Sequence, residues 1–289
     1  MKGRTDMAEE LHDSLKEACD KSGGIISELY AEEGVKVSRI RVVSAEGAEA
    51  IGKPRGTYIT ITAEKNWHAD PASVRGAAKS IAKYLRPLIP ETGEIMVVGL
   101  GNRFITPDSL GPAVTDKVIV TRHLAGMKEF SLFRPVCAIN AGVLGCTGIE
   151  TAEIVKGVCG RVKPCAVIAI DSLASLSVSR LCRTFQISDT GIVPGAGAFN
   201  ARRALDRETL GIPVIALGVP TVVDADTIVA DALQKSSFKS EKSELSDFLV
   251  TPKDIDALIS KSAKALSEGI NMAVQGRLAE EDLAQLSDS

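Results

Sequence analysis

Met96–His123 reads MVVGLGNRFITPDSLGPAVTDKVIVTRH, and this stretch decides the fold. Met96, Val97 and Val98 form a short apolar run that stops at Gly99, the pattern of a buried parallel strand. Gly99-Leu100-Gly101-Asn102 then lets the backbone turn sharply. Thr106-Pro107-Asp108 reads as a helix start. Pro107 has no N–H to lose and a fixed φ, Thr106 suits a cap, and Asp108 lies beside the positive end of the helix. A carboxylate is thereby held on a tight turn at the carboxyl end of a strand, where open α/β sheets place their ligand sites. The same position also suits a structural first-turn acid.

Working outward, two more buried-type runs follow. Ala166–Ile170 (AVIAI) leads directly to Asp171, and Pro213–Gly218 (PVIALG) leads to the loop Val219–Asp226. Val136–Ile139 reads as a short strand, and Val118–Val120 as a strand or a helix end. Helices are expected at Asp70–Leu88, ended by Pro87 and Pro90, at Thr151–Val162, and at Thr251–Val274. The last carries Ile255, Leu258, Ile259, Ala263, Leu266 and Ile270 on one side. This alternation argues for an α/β fold: a three-layer, mainly parallel sheet with helices on both faces.

Toward the N-terminus, Met7–Ser27 reads as a helix that Gly23-Gly24 interrupts, and Val35–Val43 and Thr57–Thr62 as strands. Between the strands, Gly47–Lys53 matches G-x-x-x-x-G-K. Pro54 stands where a phosphate loop needs Ser or Thr, and Glu49 would put a negative charge in the cradle. A hairpin connection with a short helical turn is the expected form. Lys235–Glu244 reads as a mobile surface segment, extending over 235–249, and the acidic tail from Leu278 to Ser289 as frayed. One domain over residues 7–275 is expected, with the tail taken from 276.

The chain has 289 residues, 45% hydrophobic and 25% charged, with a formal net charge of -3. That balance gives no general attraction to nucleic acid or to an anionic membrane. No apolar run approaches membrane-spanning length, and MKGRTDMAEELHDS does not read as a signal peptide. Cys19, Cys137, Cys146, Cys159, Cys165 and Cys182 are scattered, without a CxxC pair or a neighbouring His that would suggest zinc. They read as reduced, mostly buried thiols of a cytoplasmic protein.

Two buried-type strands thus each lead to an aspartate, Asp108 and Asp171. Neighbouring strands are about 5 Å apart, so two carboxylates at one sheet edge can face each other. Such a pair can share a proton and run hydrolysis through an activated water. Asp189 opens a Gly-rich loop and Glu150 precedes a helix; both also suit caps. His123, a lone His after an apolar run, reads as a hydrogen-bonded structural residue. Ser109 and Ser172 lack a G-x-S-x-G setting. Gly99-x-Gly101 suggests a dinucleotide turn, but Phe104 replaces the third glycine and no strand-end acid follows at the required distance.

Several segments together resemble the germination proteases of spore-forming bacteria. They are VVGLGN with TPDSLGP (97–112), VTRHL (120–124), GVLGCTGIET (142–151), IAIDSLAS (168–175), QISDTGIVPGAGAFN (186–200) and LGIPVIALGVPTVVDA (210–225). RTDMAEE (4–10), EGAEAIGKPRGTYIT (46–60) and VTPKDID (250–256) fit as well, so the resemblance runs nearly the length of the chain. It implies an α/β fold like that of the hydrogenase-maturation peptidases (phosphorylase/hydrolase-like), assembled as a homotetramer. It also implies an aspartic-type endopeptidase of the spore core that degrades small acid-soluble spore proteins, with no cofactor and no metal.

The resemblance puts the two catalytic aspartates on Asp108 and Asp171, with His123, Glu150 and Asp189 in supporting roles. It further implies a self-processing zymogen, here with a six-residue propeptide cut between Asp6 and Met7. Residues 1–6 hold no large apolar side chain after Met1, so an accessible start is expected. Ala196 stands where the family more often has Ser, and the segment between Ala225 and Val250 is short for the family. A metal-dependent maturation-type peptidase, or a non-enzymatic nucleotide-binding or scaffold protein, are the alternatives at this level.

Overall fold

The structure is a computed structural model that describes residues 5–194, 203–234, 245, 248–276 and 278. The chain opens with helices α1 (Ala8–Ser14) and α2 (Lys16–Ser22), closed by Gly23 at φ 62°. A hairpin β1 (Ile25–Glu32) and β2 (Val35–Val42) follows, then α3 (Ala45–Ile51), β3 (Gly56–Ala63), α4 (Pro71–Leu85) and β4 (Ile95–Leu100). Next come α5 (Leu110–Thr115), β5 (Val136–Gly142), α6 (Leu144–Thr147), α7 (Thr151–Val162), β6 (Ala166–Ser175) and β7 (Thr184–Ser188). The remaining elements are α8 (Arg207–Leu210), β8 (Val214–Asp224), α9 (Ala225–Gln234), β9 (Leu249–Val250) and α10 (Ile255–Val274).

The strands form one sheet in the order β1-β2-β3-β7-β8-β6-β4-β5, with β9 added beside the end of β8. β5, β4, β6 and β8 are parallel, whereas β1, β2, β3, β7 and β9 join antiparallel. The α/β class stands as expected, but the sheet is mixed rather than mainly parallel. Part of the reason is local: β1–β2 is a hairpin joined by Glu33 and Gly34, a connection too short for a parallel crossover.

Alternation along the central strands shows that both faces are covered. Ile95, Val97, Ile168 and Ile170 pack with residues of α4, α5 and α10, whereas Met96, Val98, Val167 and Ala169 pack with residues of α7 on the other face. On that second face Ile40, Val42 and Tyr58 instead meet residues of α1, α2 and α3. Near-continuous apolar strands are what a doubly covered sheet requires.

Three boundaries differ from expectation. The 7–27 stretch is two short helices that run into strand β1, and Leu29 on that strand is 78% exposed. An edge strand held by backbone pairing carries little hydrophobic pattern, so its sequence does not announce it. Val118–Val120 forms neither strand nor helix. Residues 219–224, expected in a loop, continue β8, and β6 likewise runs on to Ser175, because the two strands pair with each other beyond β4. The charged segment Lys235–Glu244, the 279–289 tail and the whole of 195–202, including Ala196, lie outside the described residues.

The turn after β4 is clamped by backbone contact. A Cβ at Gly111 would fall 2.3 Å from the Leu100 carbonyl oxygen and 2.8 Å from that of Ile170, so α5 starts directly on β4 and β6. Gly111→Ala should therefore cost about 1–3 kcal/mol, the range of core overpacking. By contrast, Gly76 in α4 has open space around its Cβ position, and Gly76→Ala should gain about 0.5–1 kcal/mol. Thermal or urea unfolding of the two variants checks both signs.

Candidate active site

β4 stops pairing with β6 at Gly99 and Ile170, and Asp171 is the next residue on β6. Asp171 is thus inside a long strand rather than at its tip, at the point where its neighbour leaves the sheet. Its side chain is 5% exposed, and its Oδ1 accepts from the Ser172 N–H at 2.9 Å. The chain leaving β4 turns at Gly101, where φ is 97° and a Cβ would meet the Asp108 carbonyl oxygen at 2.1 Å. Asp108 closes a 3-10 turn (Thr106–Asp108), and its Oδ2 accepts from the Asn102 N–H at 2.8 Å. The buried Thr221 of β8 donates its hydroxyl to the Pro107 carbonyl at 2.7 Å, tying this turn to the sheet. Two aspartates from adjacent strands are thereby held over one edge of the sheet.

Both line a cavity of about 690 Å³. Its place follows from the layers: Lys53 and Pro54 after α3, with Tyr58, bound it on one side and Gly142, Val143, Gly145 and Thr151 on the other, over the gap between the two helix groups. Gln186, Gly218 and Asp171 stand in register across β7, β8 and β6. Residues in register project from one face, so Asp171 and Gln186 flank a glycine. A Cβ at Gly218 would meet the Leu173 side chain at 2.5 Å, and Leu173 fills that place as an apolar patch of the cavity floor.

The N-terminal segment enters the same cavity. Asp6 donates its N–H to the Ala174 carbonyl at 3.1 Å and accepts from the Ala174 N–H on Oδ2 at 2.9 Å. The Asp6 carbonyl accepts from Lys53 Nζ and from Gln186 Nε2, each at 3.1 Å. Met7 is fully buried, and the Ala8 N–H donates to Gln186 Oε1 at 2.7 Å. Glu10, also buried, accepts from the Ser175 hydroxyl at 2.7 Å and the Leu176 N–H at 2.8 Å, and Arg180 reaches both Glu9 and Glu10. Residues 1–4 lie outside the described residues, but Thr5 and Asp6 are half-buried and bonded rather than loose. The edge of β6 beyond β4 offers unpaired backbone groups, and Asp6 takes them.

Burial lowers the Lys53 ammonium below the ordinary lysine range, and the Asp6 carboxylate opposes part of that shift. Burial likewise pushes the Tyr58 hydroxyl up to about 12, so it stays protonated while donating to the Pro54 carbonyl at 2.8 Å. Lys53 is delivered by Gly52, the left-handed residue (φ 70°) that ends α3. The G-x-x-x-x-G-K spacing is therefore a helix and its cap, as its departures from a phosphate loop indicated.

The other sequence candidates lie outside this cavity. His123 is exposed on a 3-10 turn (Arg122–Leu124), next to Thr121, whose N–H pairs with Val136 at the start of β5. That is the opposite end of the strands from Asp108. Exposed Asp189 accepts from the Thr57 N–H at 2.7 Å and joins the ends of β3 and β7. Glu150 is the residue before α7; its carbonyl takes the Ile154 N–H, and its side chain makes no cap bond. Sequence reasoning missed Lys53, Gln186 and Asn102. Lys53 ends a spacing whose neighbours exclude a phosphate loop, and Gln186 opens the 186–200 segment as a neutral amide with no signal of its own.

The described cysteines are unpaired; Cys19, Cys159 and Cys182 are buried and Cys146 exposed. Burial pushes the Cys137 and Cys182 thiols up to about 12. Among the described residues, no three His, Cys, Asp or Glu side chains gather so as to hold a metal ion, and no helix is long and apolar enough to cross a membrane.

Comparison with known proteins adds the family. Residues 3–239 match the family Peptidase_A25, Germination protease. The chain is 41% identical to a germination protease of Clostridium perfringens over 316 aligned positions, covering 97% of each. It is 42% identical to one of Caldanaerobacter subterraneus subsp. tengcongensis, covering 98% of this chain and 97% of the relative. Against one of Priestia megaterium it is 44% identical over 80% of this chain and 66% of the relative. Among solved structures, the NiFe hydrogenase maturation protease HycI of Thermococcus kodakarensis matches 66% of this chain and 98% of its own at 18% identity and a TM-score of 0.40. With identity above 40% along almost its whole length, the chain belongs to the germination protease family and is an endopeptidase of that family.

Proposed function

We propose that this germination protease cuts small acid-soluble, DNA-coating spore proteins, and that Asp108 and Asp171 carry the chemistry. The observation that supports it most is that two aspartates, one within β6 and one on the turn after its neighbour β4, line one cavity with an apolar floor patch. One carboxylate takes a proton from water as the oxygen attacks the scissile carbonyl, and the other, protonated, gives its proton to the leaving amine. The substrate class comes with the family, and the homotetramer belongs to the same proposal. The spore core, where these substrates lie, is the proposed location.

Asp108→Asn and Asp171→Asn should each lower cleavage of a spore-protein peptide by more than about 100-fold with circular dichroism unchanged, since an amide is nearly isosteric but cannot act as base or share a proton. Activity within a few-fold of wild type in either variant removes that residue from the mechanism. His123→Ala and Asp189→Ala serve as contrasts and should stay within about three-fold, because both side chains lie outside the cavity. EDTA should leave the rate unchanged; a loss restored by one divalent metal would replace the aspartate mechanism with a metal-dependent one.

The chain is further proposed to be a zymogen that cleaves itself between Asp6 and Met7. This bond enters the cavity with its carbonyl gripped and its following side chain buried. Intact-mass measurement after mildly acidic incubation should show loss of six residues in wild type but not in Asp108→Asn. A full-length chain that digests peptide at full rate would refute self-processing.

A further inference from the structure

The carbonyl of the proposed scissile bond is already held by two donors from outside the aspartate pair. Lys53 Nζ and Gln186 Nε2 both lie 3.1 Å from the Asp6 oxygen. They come from different elements, the end of α3 and the middle of β7, and converge on one atom. Gln186 is 8% exposed, and both line the cavity with Asp108 and Asp171. The Asp6 carbonyl is also outside the helix: α1 begins at Ala8, with Met7 as its cap. No helical hydrogen bond competes for that oxygen.

We infer that Lys53 and Gln186 are catalytic residues that polarise the scissile carbonyl and hold the oxyanion formed when water attacks it. The inference rests on the proposed cut between Asp6 and Met7. In the step, the water oxygen bonds to the carbonyl carbon and the carbonyl π pair moves onto its oxygen. That oxygen is then negative, facing an ammonium and an amide N–H in a partly dehydrated cavity, where such donors act most strongly. When the pair returns, the C–N bond breaks, the amine leaves with a proton from the carboxyl of the aspartate pair, and the acyl half becomes an acid.

Donors fixed before reaction should sit 2.7–3.1 Å from the developing oxyanion, and the ground-state contacts are at the outer end of that range. Gln186 has a second task, since its Oε1 takes the Ala8 N–H two residues past the bond. One side chain thus grips the peptide on both sides of the cut. Departure of residues 1–6 would vacate the Asp6 seat, leaving Lys53, Gln186 and the Ala174 backbone groups to a substrate in trans.

The test uses the full chain as wild type, Lys53→Met, Gln186→Glu and Gln186→Met. Gln186→Glu keeps the acceptor for Ala8 and removes the donor; Gln186→Met removes both without adding charge. N-terminal mass defines the cut, and kcat and KM on a spore-protein peptide define the role. Expected are a wild-type cut at 6–7 and, in all three variants, kcat lower by about 100-fold with KM within about three-fold and circular dichroism unchanged.

A kcat near wild type in Lys53→Met or in Gln186→Glu overturns the inference, as does an effect confined to KM, the signature of a binding clasp. A wild-type cut at another bond also overturns it while leaving the peptidase assignment intact. Wild-type chain that cuts no spore-protein peptide would instead refute the proposed substrate. Should Lys53→Met fail to fold, the two Gln186 variants decide.

Discussion

The site depends on backbone packed against backbone without side chains between. Gly101 and Gly111 bring the turn that carries Asp108 down onto the end of β4, within distances at which a Cβ would overlap carbonyl oxygens. Only glycine permits that approach, and at Gly101 the positive φ adds a second reason. The turn then has few ways to move: Thr221 holds it from β8, and Asn102 holds the Asp108 carboxylate from within. A carboxylate fixed to its strand in this way loses little freedom when a substrate arrives, as the proposed mechanism requires.

The cavity itself is a consequence of incomplete coverage. One face of the sheet is sealed by α4, α5 and α10. The other is covered in two separate patches, by α7 over the parallel strands and by α1–α3 over the antiparallel ones. Between them the middle strands β6, β8 and β7 present Asp171, Gly218 and Gln186. The switch from parallel to antiparallel pairing at β8 is what makes the gap. Crossover helices cover the first half, hairpins and their short helices the second, and neither set extends over the middle.

Into that gap the protein folds its own N-terminal segment. Met7 supplies the apolar anchor, Asp6 pairs with the exposed edge of β6, and the Glu9, Glu10 and Arg180 group closes the far side. The segment behaves as a strand-edge ligand whose backbone groups are satisfied by the sheet and by Lys53 and Gln186. An intramolecular ligand has a high effective concentration, so the segment holds this part of the cavity strongly.

The amino-acid sequence by itself determined the α/β class, the strands at 96–98, 166–170 and 213–218, and the two aspartates that follow the first two of them. These are local signals: apolar runs, a Pro-led turn, glycines at the bends, and an acid downstream of each run. Tertiary structure decided what those signals cannot carry. The edge strand β1 shows no alternation because it pairs with β2 alone and most of its side chains are exposed, and the extra length of β6 and β8 exists because each strand supports the other. His123 looked near Asp108 in sequence, yet a strand separates them by its whole length. Lys53 and Gln186 meet on the Asp6 carbonyl across 47 and 180 residues of chain. Such a meeting depends on which strands become neighbours, and that is fixed by packing across the whole sheet rather than by any one stretch of residues.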